Sequence, residues 1–142
     1  MQKVLFALAT ALLTAAVSAA DRLPDAVKID QQGRLAIGPA QFFLQHFGPE
    51  WKSSNQWQIK PDAGFPKRSD SSFELAGQLP AGGSDAMFAV NETVSADSAN
   101  AFHVNYTLKA AAPVATNSMA LAIDIPTGNP GIDLYIDGNQ IT

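Results

Sequence analysis

The sequence predicts an all-β protein: an antiparallel β-sandwich of immunoglobulin-like or jelly-roll-like type, preceded by a cleaved signal helix. Three observations lead there. From residue 70 onward the hydrophobic residues alternate with period two, the pattern of strands with one buried face. Clusters of Gly, Pro, Ser and Asn interrupt that alternation at short intervals. No stretch beyond residue 20 carries a helical period, so the strands must pack on one another rather than on helices.

Residues 1–20 read as an address. Met1-Gln2-Lys3 supplies a short positive region, Val4 to Val17 is an apolar run broken only by Thr10 and Thr14, and Ser18-Ala19-Ala20 offers small residues for cleavage before Asp21. The run is shorter than the ~20 residues needed to span a bilayer as a helix, and no Cys follows it for lipid attachment, so a secreted or periplasmic protein without a membrane anchor is expected. A buried N-terminal helix is the competing account, but the run is apolar all round and gives way at once to polar sequence. Taking twenty from the 142 residues leaves 122 for a single domain, 21–142. A domain of this size buries about two-thirds of its unfolded surface and can fold without staples. With no cysteine, a disulfide scaffold, a zinc–thiolate site and a thiol nucleophile are excluded. Charged residues make up only 15% and the net charge is −4, so there is no electrostatic footprint for nucleic acid or an anionic membrane surface.

The strands follow in order. Val27-Lys28-Ile29 and Leu35-Ala36-Ile37 flank Gln31-Gln32-Gly33 as a hairpin, and Gln41 to Phe47 forms a strand with Phe42, Phe43, Leu44 and Phe47 on both faces, which calls for a central or covered position. Gly48 to Ser71 shows no period and reads as a long connection, a kind of loop that is often functional. Beyond it, Ser72 to Gln78 turns Phe73 and Leu75 to one side, Ala86 to Val94 does the same with Phe88 and Val90, and Ala101 to Lys109 with Phe102, Val104, Tyr106 and Leu108. Met119, Leu121, Ile123 and Ile125, then Ile132, Leu134 and Ile136, make two more strands. Breakers fall at Pro80–Gly83, Ser95–Asn100, Ala112-Pro113 and Pro126–Gly131. Gly138-Asn139 suits a hairpin turn, yet only Gln140-Ile141-Thr142 follow, which suggests the N-terminal piece of a longer polypeptide.

The run Phe102-His103-Val104-Asn105-Tyr106-Thr107-Leu108, then Thr116-Asn117-Ser118-Met119-Ala120-Leu121, the closing Ile125-Pro126 and finally Ile136-Asp137-Gly138 resembles the β-sandwich domain that precedes the catalytic barrel in some secreted bacterial glycoside hydrolases. The resemblance covers roughly residues 72–142 and its motifs are structural. It implies a parent enzyme that cleaves polysaccharide, with this part supporting or extending the substrate cleft beside a downstream catalytic domain. No catalytic carboxylate carries over, because in such enzymes the acid and base lie on the barrel.

Candidate sites are few. A hairpin across Pro126–Gly131 that pairs Ile125 with Ile132 and Ile123 with Leu134 would set Asp124 opposite Asp133 on the outer face. Two such carboxylates repel and invite a calcium ion, although a full site needs six or more oxygens and a shifted register with both groups solvated is the plainer account. As a glycosidase acid and base the pair is weaker still. Trp51 and Trp57 lie in the long connection with Asn55, Gln56 and Gln58, a combination of flat rings and amides suited to carbohydrate. Core packing is the weightier account, since large aromatics are mostly buried and sandwich domains often bury a Trp. His46 reads as a satisfied core histidine and His103 as part of a solvated face; neither has a second His nearby for zinc. The serines include no nucleophile elbow, and Ala81-Gly82-Gly83-Ser84 has no following helix to make a phosphate loop. Asn91-Glu92-Thr93 and Asn105-Tyr106-Thr107 match the glycosylation sequon, which matters only in a eukaryotic secretory route.

The expectation is therefore a non-catalytic accessory domain of an exported carbohydrate-active enzyme. The alternative is a stand-alone periplasmic or surface protein that takes a partner through a sheet edge. An independent small enzyme has least support, because no nucleophile, base or metal set converges.

Overall fold

The alternation from residue 70 onward becomes a meander of three long strands, and the irregular first half of the chain becomes a second sheet laid across it. The computed structural model describes residues 22–126 together with two short strands at 134–136 and 139–141. The signal segment, residues 1–20, lies outside the described residues. The first sheet is built from β1 (Val27–Ile29), β2 (Leu35–Ile37), β3 (Ala40–Phe47) and β4 (Ser53–Asn55). The second holds β5 (Lys60–Pro61), β6 (Lys67–Arg68), β7 (Ser72–Pro80), β8 (Met87–Ser98) and β9 (Ala101–Ala110). The chain then returns to the first sheet as β10 (Ser118–Asp124), so the order there is β1-β2-β3-β10 with β4 also on β3. The order in the second is β5-β7-β8-β9 with β6 also on β7, and every pairing in both sheets is antiparallel. Apart from two 3-10 turns, the described residues contain no helix.

The core lies between the sheets. Leu35 and Leu44 from the first meet Phe73, Leu75, Leu79, Phe88, Val90 and Val94 from the second, with Ile59 and Ala81 from the connections closing the cluster. Alternation explains the choice: on β7 and β8 each second residue is buried and its neighbours are more open, so one face of each strand leaves water. The expected hairpin Val27–Ile29 with Leu35–Ile37 forms with those limits, and β3 takes the central place that its two-faced apolar pattern requires.

Three expectations are corrected. Gly48 to Ser71 is not a bare connection: β4 zips it to β3, two 3-10 turns compact it, and β5 and β6 both lie along β7, so the segment binds one edge in each sheet. Ser95 to Ser98 does not break the strand, because a bulge between Ala96 and Ser98 absorbs an extra residue and β8–β9 pairing continues to a tight turn at Ala99-Asn100. The third concerns the C-terminal strands. Residues 119–123 pair with β3, and β11 (Leu134–Ile136) pairs with β12 (Asn139–Ile141), so Leu134 faces Ile141 and not Ile123. β10 takes its seven partners from β3 along one edge, and β11 is paired in a separate two-stranded sheet with β12.

The register of β10 sets Met119, Leu121 and Ile123 beside His46, Leu44 and Phe42, hence on the interior side of the first sheet. They nevertheless remain 37%, 53% and 37% exposed, because β10 ends its sheet among the described residues and the interior is open there.

Candidate functional site

β3 turns Ala40, Phe42, Leu44 and His46 inward, which leaves Gln41, Phe43, Gln45 and Phe47 on the outer face of the first sheet. Cross-strand partners share a face, so Asp124, Ala122, Ala120 and Ser118 of β10 and Ser53 and Asn55 of β4 lie on that face too. The β10 side is thus paved with small residues and stays open. On the other flank stand the two tryptophans. Trp57 sits in the 3-10 turn Gln56–Gln58, tilted against Phe43 with ring centroids 5.3 Å apart. Trp51 ends the turn Pro49–Trp51 and meets Phe47 edge-on at 5.9 Å. Phe43 and Phe47 are four residues apart on one strand, so these two supports are spaced by roughly 13 Å.

Both tryptophans are at the surface, Trp51 68% exposed and Trp57 46%, which overturns the expectation that they fill the core. The cause is local. Glu50 and Trp51 adopt left-handed backbone angles (φ 55° and 58°), a conformation disfavoured for a bulky residue, and the turn they form carries the indole outward. Gln56 and Trp57 are adjacent, and when one points inward the next points out. Gln56 is the inward one, with no exposed surface, so it does not stand with the aromatic rings as a surface ligand. Asn55 is half-buried and opens the second turn, where its N–H donates to Gln58 Oε1 at 2.8 Å.

Beside Trp57 an open depression of about 460 Å³ is lined by Arg34, Gln41, Phe43, Trp57 and Asp124. The Arg34 guanidinium lies 5.7 Å from the Trp57 ring centre and is held by Asp30 through Nε–Oδ2 at 2.5 Å. Asp124 therefore belongs to this depression; Asp133 lies outside the described residues, and with it the carboxylate pair considered for calcium. Among the described residues no group of three or more His, Asp or Glu side chains could hold a metal ion.

Under the platform is a polar cluster that sequence reasoning missed. Gln56 Oε1 accepts the Leu44 N–H at 2.7 Å and the Tyr106 hydroxyl at 3.4 Å, while its Nε2 donates to Glu92 Oε2 at 2.8 Å. Glu92 is fully buried and its Oε1 has no partner. Burial, the largest cause, pushes its pKa up to about 8, so at neutral pH it is a carboxylic acid; the Asp30 charge adds to the rise, and the Tyr106 and Gln56 hydrogen bonds oppose it. The signal was in the alternation itself: Glu92 falls in phase with Phe88, Val90 and Val94, where an apolar residue belongs.

His46 is likewise fully buried. Its Nδ1 accepts the Gly82 N–H at 3.0 Å, which leaves the proton on Nε2 to face Thr116 Oγ1 at 3.1 Å, and the ring packs edge-on against Phe88 at 4.9 Å. It is the satisfied core histidine that its setting on β3 suggests, with burial holding it below its ordinary value. His103 is exposed and lies 3.4 Å from Asp97. No family model, curated protein or solved structure matches the chain.

Proposed function

We propose that the chain is a non-catalytic β-sandwich module that binds polysaccharide across the outer face of its first sheet, as an accessory part of an exported carbohydrate-active enzyme such as a glycoside hydrolase. The observation that carries this is the pair of exposed indoles, each braced by a phenylalanine of one strand and spaced along it by several ångströms more than a single sugar ring. Flat rings take the apolar faces of pyranoses, and Gln41, Gln45, Asn55, Arg34 and Asp124 supply donors and acceptors for hydroxyls on the same face. Two antiparallel sheets around one core support the sandwich, and residues 1–20 support export.

Retention of the mature chain on insoluble cellulose, chitin and xylan tests this. Trp51→Ala and Trp57→Ala should each weaken retention by about tenfold or more, the loss typical of a central aromatic anchor, while shifting thermal stability little because both rings are exposed. Retention on none of these polymers, or retention unmoved by both substitutions, refutes the proposal.

A partner-binding role through the sheet edge is favoured by one observation, the half-open interior row Met119, Leu121 and Ile123 on β10, the last strand of its sheet among the described residues. An extended partner segment with alternating apolar residues would add to that edge and cover the row. Leu121→Lys should then abolish capture of such a peptide and leave polysaccharide retention unchanged; capture that survives the lysine excludes this role.

A further inference from the structure

We infer that Glu92 and Gln56 form a buried latch that fixes Trp57 in place, and that ionisation of Glu92 releases it. The geometry is a short chain of contacts from the core to the surface. Gln56 is the first residue of the 3-10 turn and Trp57 the next, so whatever fixes the Gln56 side chain fixes the turn that presents the indole. That side chain is tied on both sides of the core: to the β3 backbone at Leu44 N–H, and to β8 at Glu92 Oε2. The β1–β2 hairpin closes over the same point. A Cβ at Gly33 would stand 1.8 Å from Glu92 Oε2 and 2.8 Å from Gln56 Nε2, so the bare glycine is what lets the hairpin seal the pair, and the next residue, Arg34, reaches the Trp57 ring.

This seal suits a neutral acid and not a carboxylate. The groups that face Glu92 are Gln56 from the turn, Tyr106 from β9 directly across the ladder, and Asp30 from the hairpin, and not one is a cation; Arg34, the residue after Gly33, is committed to Asp30. A carboxylate there would have only the neutral Gln56 amide and Tyr106 hydroxyl as donors, with Oε1 left unpartnered. A full charge so poorly met has to reach water, and the exit is past Gly33 and Gln56. Drawn outward with its Gln56 donor, the carboxylate pulls that side chain off the Leu44 N–H, and the turn carrying Trp57 loosens from Phe43. Burial places this change near pH 8, on the alkaline side of neutrality.

The consequence for sugar retention rests on the platform proposed above; the release of Trp57 does not, and it can be read with no ligand present. In the full chain carrying Trp51→Phe, Trp57 is the sole indole, and its fluorescence should change in one step with a midpoint near pH 8 while far-ultraviolet circular dichroism stays constant. Glu92→Gln should remove that step. In case this variant fails to fold, the wild-type chain with carboxyl-labelled glutamate offers the same test: it has three glutamates, and the Glu92 carboxyl resonance should titrate together with the Trp57 indole N–H. A flat fluorescence profile between pH 6 and 10, a step that persists in Glu92→Gln, or carboxyl and indole midpoints that differ by more than a pH unit overturns the latch. If the step is present and the polymers are still not retained, the platform fails and the latch stands.

Discussion

Glu92 and His46 are both buried, and both titrate against the fold, from opposite sides. Glu92 has an ordinary value of 4.5 and is raised to about 8, so its contribution to stability is complete below pH 4.5 and is lost as pH climbs to about 8. His46 is lowered from 6.5, so its contribution is complete above 6.5 and is lost as pH falls below that. Each unit between folded and unfolded values is worth about 1.4 kcal/mol, which makes the Glu92 effect one of several kcal/mol. Thermal melting followed against pH should therefore fall as pH rises from about 4.5 to about 8. Glu92→Gln should flatten that decline; an unchanged decline would place the loss on some other group. The stability curve begins to fall well before Trp57 moves, because linkage starts at the unfolded value and the structural change waits for the folded one.

At the level of elements, the β1–β2 hairpin makes the sharpest prediction. Gly33 and Gly38 both have positive φ, 83° and 57°, but a Cβ at Gly38 meets nothing within 4 Å, whereas at Gly33 it collides with Glu92. Gly38→Ala should cost only the strain of a side chain at positive φ, about 1 kcal/mol, and Gly33→Ala should cost a further 1–3 kcal/mol from the clash. Urea unfolding reads this as a larger fall in midpoint for Gly33→Ala at unchanged slope; equal falls would show that the hairpin does not press on Glu92. Much of this architecture was legible in the sequence. The limits of β1 and β2 could be read outright, and β7, β8 and β9 could be placed to within a few residues, because one buried face imposes period two. The segment 48–71 could not be read, since β4, β5 and β6 are two or three residues long and owe their pairing to neighbours distant in sequence. The site was half legible. Trp51 and Trp57 stood out by type, but their exposure depends on two left-handed residues before Lys52 and on which of Gln56 and Trp57 turns inward, and neither depends on a periodic pattern. Glu92 could have been found by asking why an acid holds an apolar phase.

For the molecule as a whole, the two sheets differ in how they are assembled from the chain. β7, β8 and β9 are joined by short turns, while the first sheet is completed only when β10 comes back to β3, pairing Phe47 with Ser118 and Gln41 with Asp124. Local pairings form early and distant ones late, so the meander is the natural nucleus and the β3–β10 ladder the closing event. Synthesis sharpens the contrast. Phe47 and Ser118 are 71 positions apart, and at ~5–20 residues per second the edge of β3 stands unpaired for roughly 4–14 seconds after it is made. Phe42, Phe43, Leu44 and Phe47 are all on that strand. The strand that carries both supports of the aromatic platform is therefore the one most in need of a holding chaperone while the rest of the chain is being made.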